Sequence, residues 1–176
     1  MKEVVTVFKY INVFLSLGSN AGERLRNLKS AISRLDAHPE ISICAVSCFY
    51  ETEPLYYRFQ PDFLNCAVKL STNLRPEVLL SECLRIEREM GRLRSNQKHQ
   101  SRPIDIDIVF FGKKIIYNSE LQVPHKQYAE RRFVLVPIND IAPDFVCPDS
   151  GATVKYMFDN CPDHSRVEHY LKLELI

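Results

Sequence analysis

No run of about 18 apolar residues occurs in this sequence, so no membrane-crossing helix is expected. The N-terminal stretch shows no leader pattern. Residues 1–17 carry Glu3, Lys9 and Asn12, and they lack both an unbroken apolar core and a small-residue cleavage site. A signal peptide is therefore not expected. An excess of charge of one sign is also missing: 23 Lys and Arg stand against 22 Asp and Glu, a formal net charge of +1 at pH 7. Proteins that live on nucleic acid carry a clear basic surplus, so neither nucleic acid nor membrane is expected as a partner, and protein partners are left open. None of the six cysteines forms a Cys-x-x-Cys pair, and six thiols among 176 residues do not make a disulfide scaffold. They read as mostly buried free thiols in a reducing cytoplasm, and ligand spacings for zinc are absent. No internal repeat, low-complexity stretch or glycine-rich strand-to-helix turn appears, which removes support for a dinucleotide fold or a P-loop.

What is present is ordinary for one globular domain, with 45% apolar and 26% charged residues. Such a length buries roughly 70% of the surface of the unfolded chain and needs no metal or disulfide to hold it. Val13–Leu17 reads as a strand that ends in Gly18, Ser19 and Asn20. Leu25, Leu28, Ile32 and Leu35 recur at helical spacing over 24–37. Ile41–Tyr50 reads as one strand with Ile41, Ile43 and Ala45 on one face, followed by a loop over 51–61. Phe63–Leu70 is the next strand. Leu74–Met90 is a second helix with Pro76 in its first turn. Residues 92–102 form a polar, basic loop, Ile104–Phe111 a strand, and Lys113–Tyr117 is expected to pair with that strand across Gly112. Arg132–Ile141 is a short helix or turn, Val154, Met157 and Phe158 fit a short docked helix, and Val167–Ile176 a further strand. Two long helices interleaved with hairpin-linked strands predict an α+β sandwich, with helices packed on a largely antiparallel sheet.

The strongest chemical feature is Asp105 and Asp107. Alternation along a strand points Ile104, Ile106 and Ile108 one way and both carboxylates the other. Like charges at this spacing repel, and Asp is a poor strand former. Either a hard cation such as Mg2+ offsets that cost, or the pair lies on a solvated face beside arginines. The stretch from Arg88 to Arg102 just before it carries Arg88, Arg92, Arg94, Lys98, His99 and Arg102, opposed only by Glu89. Carboxylates that hold a metal, next to cations that neutralise phosphate charge, are what phosphoryl transfer requires. The alternative for the loop is a solvated charge run. Phe63 and Asn65 share a strand face, where an aromatic can stack on a flat heterocycle and an amide can read its edge. An ordinary core Phe and edge Asn would look the same. Phe133, His125 and the Arg131–Arg132 pair are ambiguous by themselves.

Taken together, these pieces resemble the 6-hydroxymethyl-7,8-dihydropterin pyrophosphokinase family of folate biosynthesis. The elements run in order: Leu17–Asn20, Phe49–Leu55, Gln60–Asn65, Ile86–Glu87, Gly91–Arg94, Arg102–Asp107, Val123–His125 and Arg131–Phe133. The resemblance covers residues 11–148, leaving 1–10 as an N-terminal extension and 149–176 as a C-terminal segment of a single domain. It implies a ferredoxin-like α+β sandwich in the cytoplasm. It implies a transferase that moves the β,γ-pyrophosphoryl group of ATP to the hydroxymethyl oxygen of the dihydropterin. It implies two Mg2+ ions on Asp105 and Asp107, with Arg92 and Arg102 as the catalytic arginines. Glu87, Arg94, Lys98, Ile108, His125 and Arg131 would line the ATP site. The pterin would lie between Phe63 and Phe133, its edge read by Asn65 and the chain around Thr52, Pro54 and Leu55. The 92–100 loop would close over both substrates. This chain departs from the usual pattern with His99 for an aromatic, Gln100–Ser101 for Gly-Pro, Pro103 for Thr, and Phe63 for Tyr.

Two other readings use the same residues. A metal-dependent nucleotidyl or glycosyl transferase would use the aspartates without the pterin constellation, so a cleft shared by Phe63, Asn65, Phe133 and the aspartates discriminates against it. A non-catalytic RNA-binding module of similar shape would not need the carboxylate pair, and it is opposed by the near-zero net charge.

Overall fold

A computed structural model describes residues 10–55, 59–92 and 100–171. Its frame is an antiparallel sheet built on β1 (Ile11–Ser19) and β4 (Phe63–Thr72). The remaining strands are β2 (Ile41–Val46), β3 (Phe49–Thr52), β5 (Asp105–Phe111) and β8 (Val167–Leu171), in the order β5-β1-β4-β3-β8, with β2 also paired to β4. β6 (Ile116–Tyr117) and β7 (Gln122–Val123) make a separate small ribbon.

Alternation along β1 feeds two cores. Val13, Leu15 and Leu17 pack with Leu28, Ala31 and Leu35 of α1 (Arg24–Asp36) and with Leu79, Cys83 and Ile86 of α2 (Pro76–Glu89). Phe14 faces the other way and joins Phe110 and Ala67 against α3 (Arg132–Ile141) and α4 (Val154–Asp159). There Phe145 sits 4.7 Å from Phe14 and 5.0 Å from Phe110, ring centre to ring centre. Each fully buried Leu or Phe contributes about 1.5–3 kcal/mol, so these two clusters carry most of the folding free energy. The sandwich expected from the sequence is present, with helices on both faces of the sheet.

Five local expectations change. The strand expected over 41–50 breaks at Ser47–Cys48. Ser47 bonds Ala67 through its backbone N–H (2.9 Å), and its hydroxyl accepts from the Ala67 N–H (2.8 Å). A register shift between Ile43 and Ala45 also turns Val46, rather than Ala45, toward the core of Ile41 and Ile43. The loop expected from Glu51 begins later, because Glu51 and Thr52 pair with Leu64 and Phe63. β1 continues through Gly18 and Ser19, which pair with Asn65 and Leu64. Finally, residues 113–117 do not pair with β5. Gly112, at φ +55°, donates to the Asn12 carbonyl (2.8 Å) and turns the chain away, so Ile116 meets Val123 instead.

Candidate active site

The site lies on the α3 side of the sheet, beyond the end of that helix layer. Register places Asp105 beside Gly18 and Gly18 beside Asn65, while Asp107 lies beside Ser16. The two middle positions carry nearly the smallest side chains available, which opens a floor between the carboxylates and the amide. At Gly18 a Cβ would stand 2.6 Å from Asn65 Oδ1, so any other residue would force the amide or the strand to move. A glycine inside a strand is the sequence signal for such a close approach, and here it marks a cleft residue that pattern reading assigned no role.

Asp105 and Asp107 share the face that alternation requires, and Ile104, Ile106 and Ile108 are buried on the other. Arg92 and Arg102 both reach Asp105. Arg92 Nη1 pairs with Asp105 Oδ1 and also with Glu87, and Arg102 Nη2 lies 2.6 Å from Asp105 Oδ2. Burial, and next the charge of Asp105, push the Asp107 carboxyl up to about 7, against the pull of Arg131. Two crowded carboxylates with one held near neutrality are a charge pair short of a cation. Among the described residues no group of three or more His, Cys, Asp or Glu surrounds this point. The pair therefore suits a metal that takes its other oxygens from water and phosphate.

Two clefts meet at these aspartates. The first is about 90 Å3 and brings together Thr52, Leu55, Phe63, Asn65, Phe133, Arg102 and Arg131 with both carboxylates. Asn65 Nδ2 donates to Thr52 Oγ1 at 2.7 Å, fixing the amide from behind. Pro54 is buried between Glu53 and Leu55, which both line the cleft. Arg102 Cζ lies 5.2 Å from the Phe63 ring centre and Arg131 Cζ 5.7 Å from that of Phe133, so each aromatic face already holds a planar cation. Arg131, expected among the ATP residues, stands in this cleft.

The second cleft, about 360 Å3, has Glu87, Arg92, Ile108 and His125 on its walls along with both aspartates. Glu87 and His125 are set by the outer edge of β5. Ile106 N–H donates to Glu87 Oε1 at 2.8 Å. The β1–β5 register skips Val109, whose carbonyl accepts from His125 N–H at 3.0 Å. Burial, then the positive charges of Arg131 and Lys126, hold the His125 imidazole down to about 4. It is neutral at pH 7, and its Nδ1 accepts from Gln127 N–H at 3.3 Å.

Ser16, Glu53 and Gln60 also line the first cleft, and nothing in their spacing announced it. Asn20, quoted above only as part of a motif, is 1% exposed and bonds Gln60 (3.1 Å), the Pro61 carbonyl (3.3 Å) and Arg102 N–H (2.8 Å). Arg94, Lys98, His99 and the closing segment of the 92–100 loop lie outside the described residues.

Known structures of this shape define the class. The fold is that of the ferredoxin-like α+β domain in Plasmodium falciparum HPPK-DHPS, at TM-score 0.70 and 17% identity over 90% of this chain and 47% of that one. An HPPK-DHPS structure in complex with substrates matches at TM-score 0.67 and 16% identity, over 85% of this chain and 42% of the other. At these identities the likeness speaks for the fold alone.

Sequence supplies the family. The model of 7,8-dihydro-6-hydroxymethylpterin-pyrophosphokinase (HPPK) matches residues 14–143, and the chain belongs to that family. The 2-amino-4-hydroxy-6-hydroxymethyldihydropteridine pyrophosphokinase of Haemophilus influenzae is 37% identical over 80% of this chain and 87% of its own length. The folic acid synthesis protein of Pneumocystis carinii is 41% identical over 86% of this chain, and an Arabidopsis thaliana folate synthesis bifunctional protein 44% identical over 73%. The chain spans only 20% and 26% of the length of those two relatives.

Proposed function

We propose that this chain transfers the β,γ-pyrophosphoryl group of ATP to 6-hydroxymethyl-7,8-dihydropterin in folate biosynthesis. One observation carries the reading: Asp105 and Asp107 form the wall common to two clefts, so ligands in both meet at one carboxylate pair. The narrower cleft has aromatic faces and a fixed amide, which suits a flat heterocycle with donors and acceptors on its edge. The roomier one has cationic and buried polar walls, which suits a nucleoside triphosphate. Family membership supports the same pair of substrates.

In the reaction the pterin hydroxymethyl oxygen forms a bond to the β-phosphorus. The bond from that phosphorus to the oxygen bridging the α-phosphate breaks, AMP leaves, and the hydroxyl proton is released. Asp105 and Asp107 would hold Mg2+, two ions being expected, whose chemistry is to neutralise and align the phosphate oxygens. The reading assigns no side chain as base, since a loose phosphoryl transition state asks mainly for alignment and charge neutralisation. Phe63, Phe133 and Asn65 orient the alcohol. Arg92 and Arg102, which hold Asp105 in this state, turn to the phosphates as negative charge spreads over them. Glu87, Arg94, Lys98, Ile108 and His125 are assigned to nucleotide binding, while Arg131, expected with them, stands in the narrower cleft and is assigned to the pterin side. Residues 11–148 are assigned as the catalytic core of one domain. Cys66, Cys83, Cys147 and Cys161 are buried free thiols, which fits a reducing compartment such as the cytoplasm.

The test is AMP release from ATP and Mg2+ with and without the dihydropterin. Pterin-dependent AMP, lost in Asp105→Ala, is the expected result. ADP as product, or AMP release that ignores pterin, would overturn the assignment.

A further inference from the structure

The family match ends at residue 143, yet residues 163–167 touch both walls of the narrower cleft. On one side Asp163 Oδ2 accepts from Arg132 N–H at 2.9 Å. That N–H opens α3, whose own N-cap residue, Arg131, supplies no side-chain bond. A helix start leaves unpaired donors, so Asp163 serves as a cap lent from a distant segment. The residues on either side of that N–H, Arg131 and Phe133, are the two that line the cleft. Partial burial pushes the Asp163 carboxyl up, but donation from Ser165 and Arg132 N–H together outweighs it and holds the group below the usual range.

On the other side the segment bridges both ends of the chain that forms the opposite wall. Arg166 N–H donates to Glu53 Oε1 at 2.9 Å, and Glu53 lines the cleft. Arg166 Nη2 pairs with Asp62, next to Phe63, and Arg24 Nη1 holds the Asp62 carbonyl from the far side at 2.8 Å. Val167 then pairs with Thr52, another cleft residue, so the segment is anchored in the sheet as it crosses.

We propose that Asp163–Val167 is a strap that sets the separation of the two aromatic walls, making Asp163 and Arg166 positioning residues for pterin binding. This rests on the pterin reading of the cleft. Neither residue touches the second cleft, so the strap acts on one substrate only.

The test compares Asp163→Ala, Asp163→Asn, Arg166→Ala and Arg166→Lys with the unaltered protein, reading kcat and both KM values from AMP formation. Loss of one capping bond corresponds to about a fivefold effect, so the pterin KM should rise about fivefold in Asp163→Ala. Arg166→Ala loses an exposed ion pair but keeps its backbone bond to Glu53, so the rise there should be smaller, about two- to threefold. The ATP KM and kcat should stay within about twofold. Arg166→Lys keeps a charge opposite Asp62 and should recover most of the loss. Asp163→Asn keeps an acceptor for Arg132 N–H and serves where the alanine variant folds poorly. A merely destabilised protein would lose active fraction, lowering kcat with both KM values unchanged, and that pattern sinks the strap. So does a pterin KM that does not move in any variant. If the unaltered protein makes no pterin-dependent AMP, it is the function that fails, and the two failures are told apart by that control.

Discussion

Asn20 and Arg102 bond each other twice just ahead of β5: Asn20 N–H donates to the Arg102 carbonyl (3.1 Å), and Asn20 Oδ1 accepts from Arg102 N–H (2.8 Å). The other end of the same amide holds Gln60 and Pro61. One buried side chain thus ties the arginine beside Asp105 to the wall of the narrower cleft. Asn20→Ala keeps the backbone bond to the Arg102 carbonyl but leaves Arg102 N–H and the Pro61 carbonyl without their side-chain partner, and should cost about 1–3 kcal/mol in a urea melt, with turnover reduced more than stability explains. Asn20→Asp keeps the acceptor for Arg102 and gives up the amide donors, so it should recover part of the turnover.

Asp107 is the group to change if the carboxylate pair exists for a cation. Its carboxyl is raised to about 7 in the fold, whereas an unfolded Asp titrates near about 4. Between those values the folded metal-free chain binds more protons than the unfolded one, so its stability falls as pH rises from about 4 to 7. Asp107→Asn removes that penalty. Above pH 7 and without Mg2+ the variant should melt higher than the unaltered protein, while pterin-dependent AMP formation disappears. A variant that melts lower and keeps turnover would count against the metal assignment.

His125 pulls in the opposite direction over an overlapping range. An unfolded imidazole takes its proton near about 6.5, the folded one only near about 4. Stability contributed by neutral His125 is therefore complete above about 6.5 and lost as pH falls toward 4. In the Asp107→Asn background the opposing slope is gone. Acid titration of the melting temperature should then show a loss of roughly 1–3 kcal/mol across this range, partial exposure being discounted. His125→Gln should flatten it.

Gly18→Ala tests the cleft floor. The added methyl would stand 2.6 Å from Asn65 Oδ1, and that amide is held from behind by Thr52. The amide must turn or β1 must move, so the pterin KM should rise about tenfold or more, the cost of about 1.4 kcal/mol. The ATP KM should change little, because Gly18 does not line the second cleft. Equal shifts in both would place the damage in the sheet rather than the cleft.

Much of this was readable in advance, because it is local. The 3.6-residue spacing in α1 and α2, the first-turn Pro76, and the alternation that sets Asp105 and Asp107 apart from three isoleucines depend on short windows of chain. What escaped depends on pairing between distant strands. Gly18 belongs to β1 because it sits between Asn65 and Asp105, neither of which is near it in sequence. Ile41–Tyr50 has the composition of one strand, and only the bonds from Ser47 to Ala67 divide it. Ser16 looks like any polar residue until the sheet register brings it to the cleft, and Gln60 until Asn20 holds it there. The strap residues Asp163 and Arg166 lie in the weakly patterned segment, where nothing signals that a helix start 31 residues earlier lacks its cap.

Glu87 covers part of the sheet edge as well as lining the second cleft. β5 is the last strand on its side of the sheet, and such a strand offers bare backbone to any neighbouring chain. Here the helix carboxylate occupies the donor at Ile106 and His125 N–H occupies the carbonyl at Val109. Residues assigned to the nucleotide thus seal the margin of the sheet against strand addition. A chain without Glu87 would present its acidic strand with an open donor, and light scattering should detect self-association before any assay could register a weakened grip on ATP.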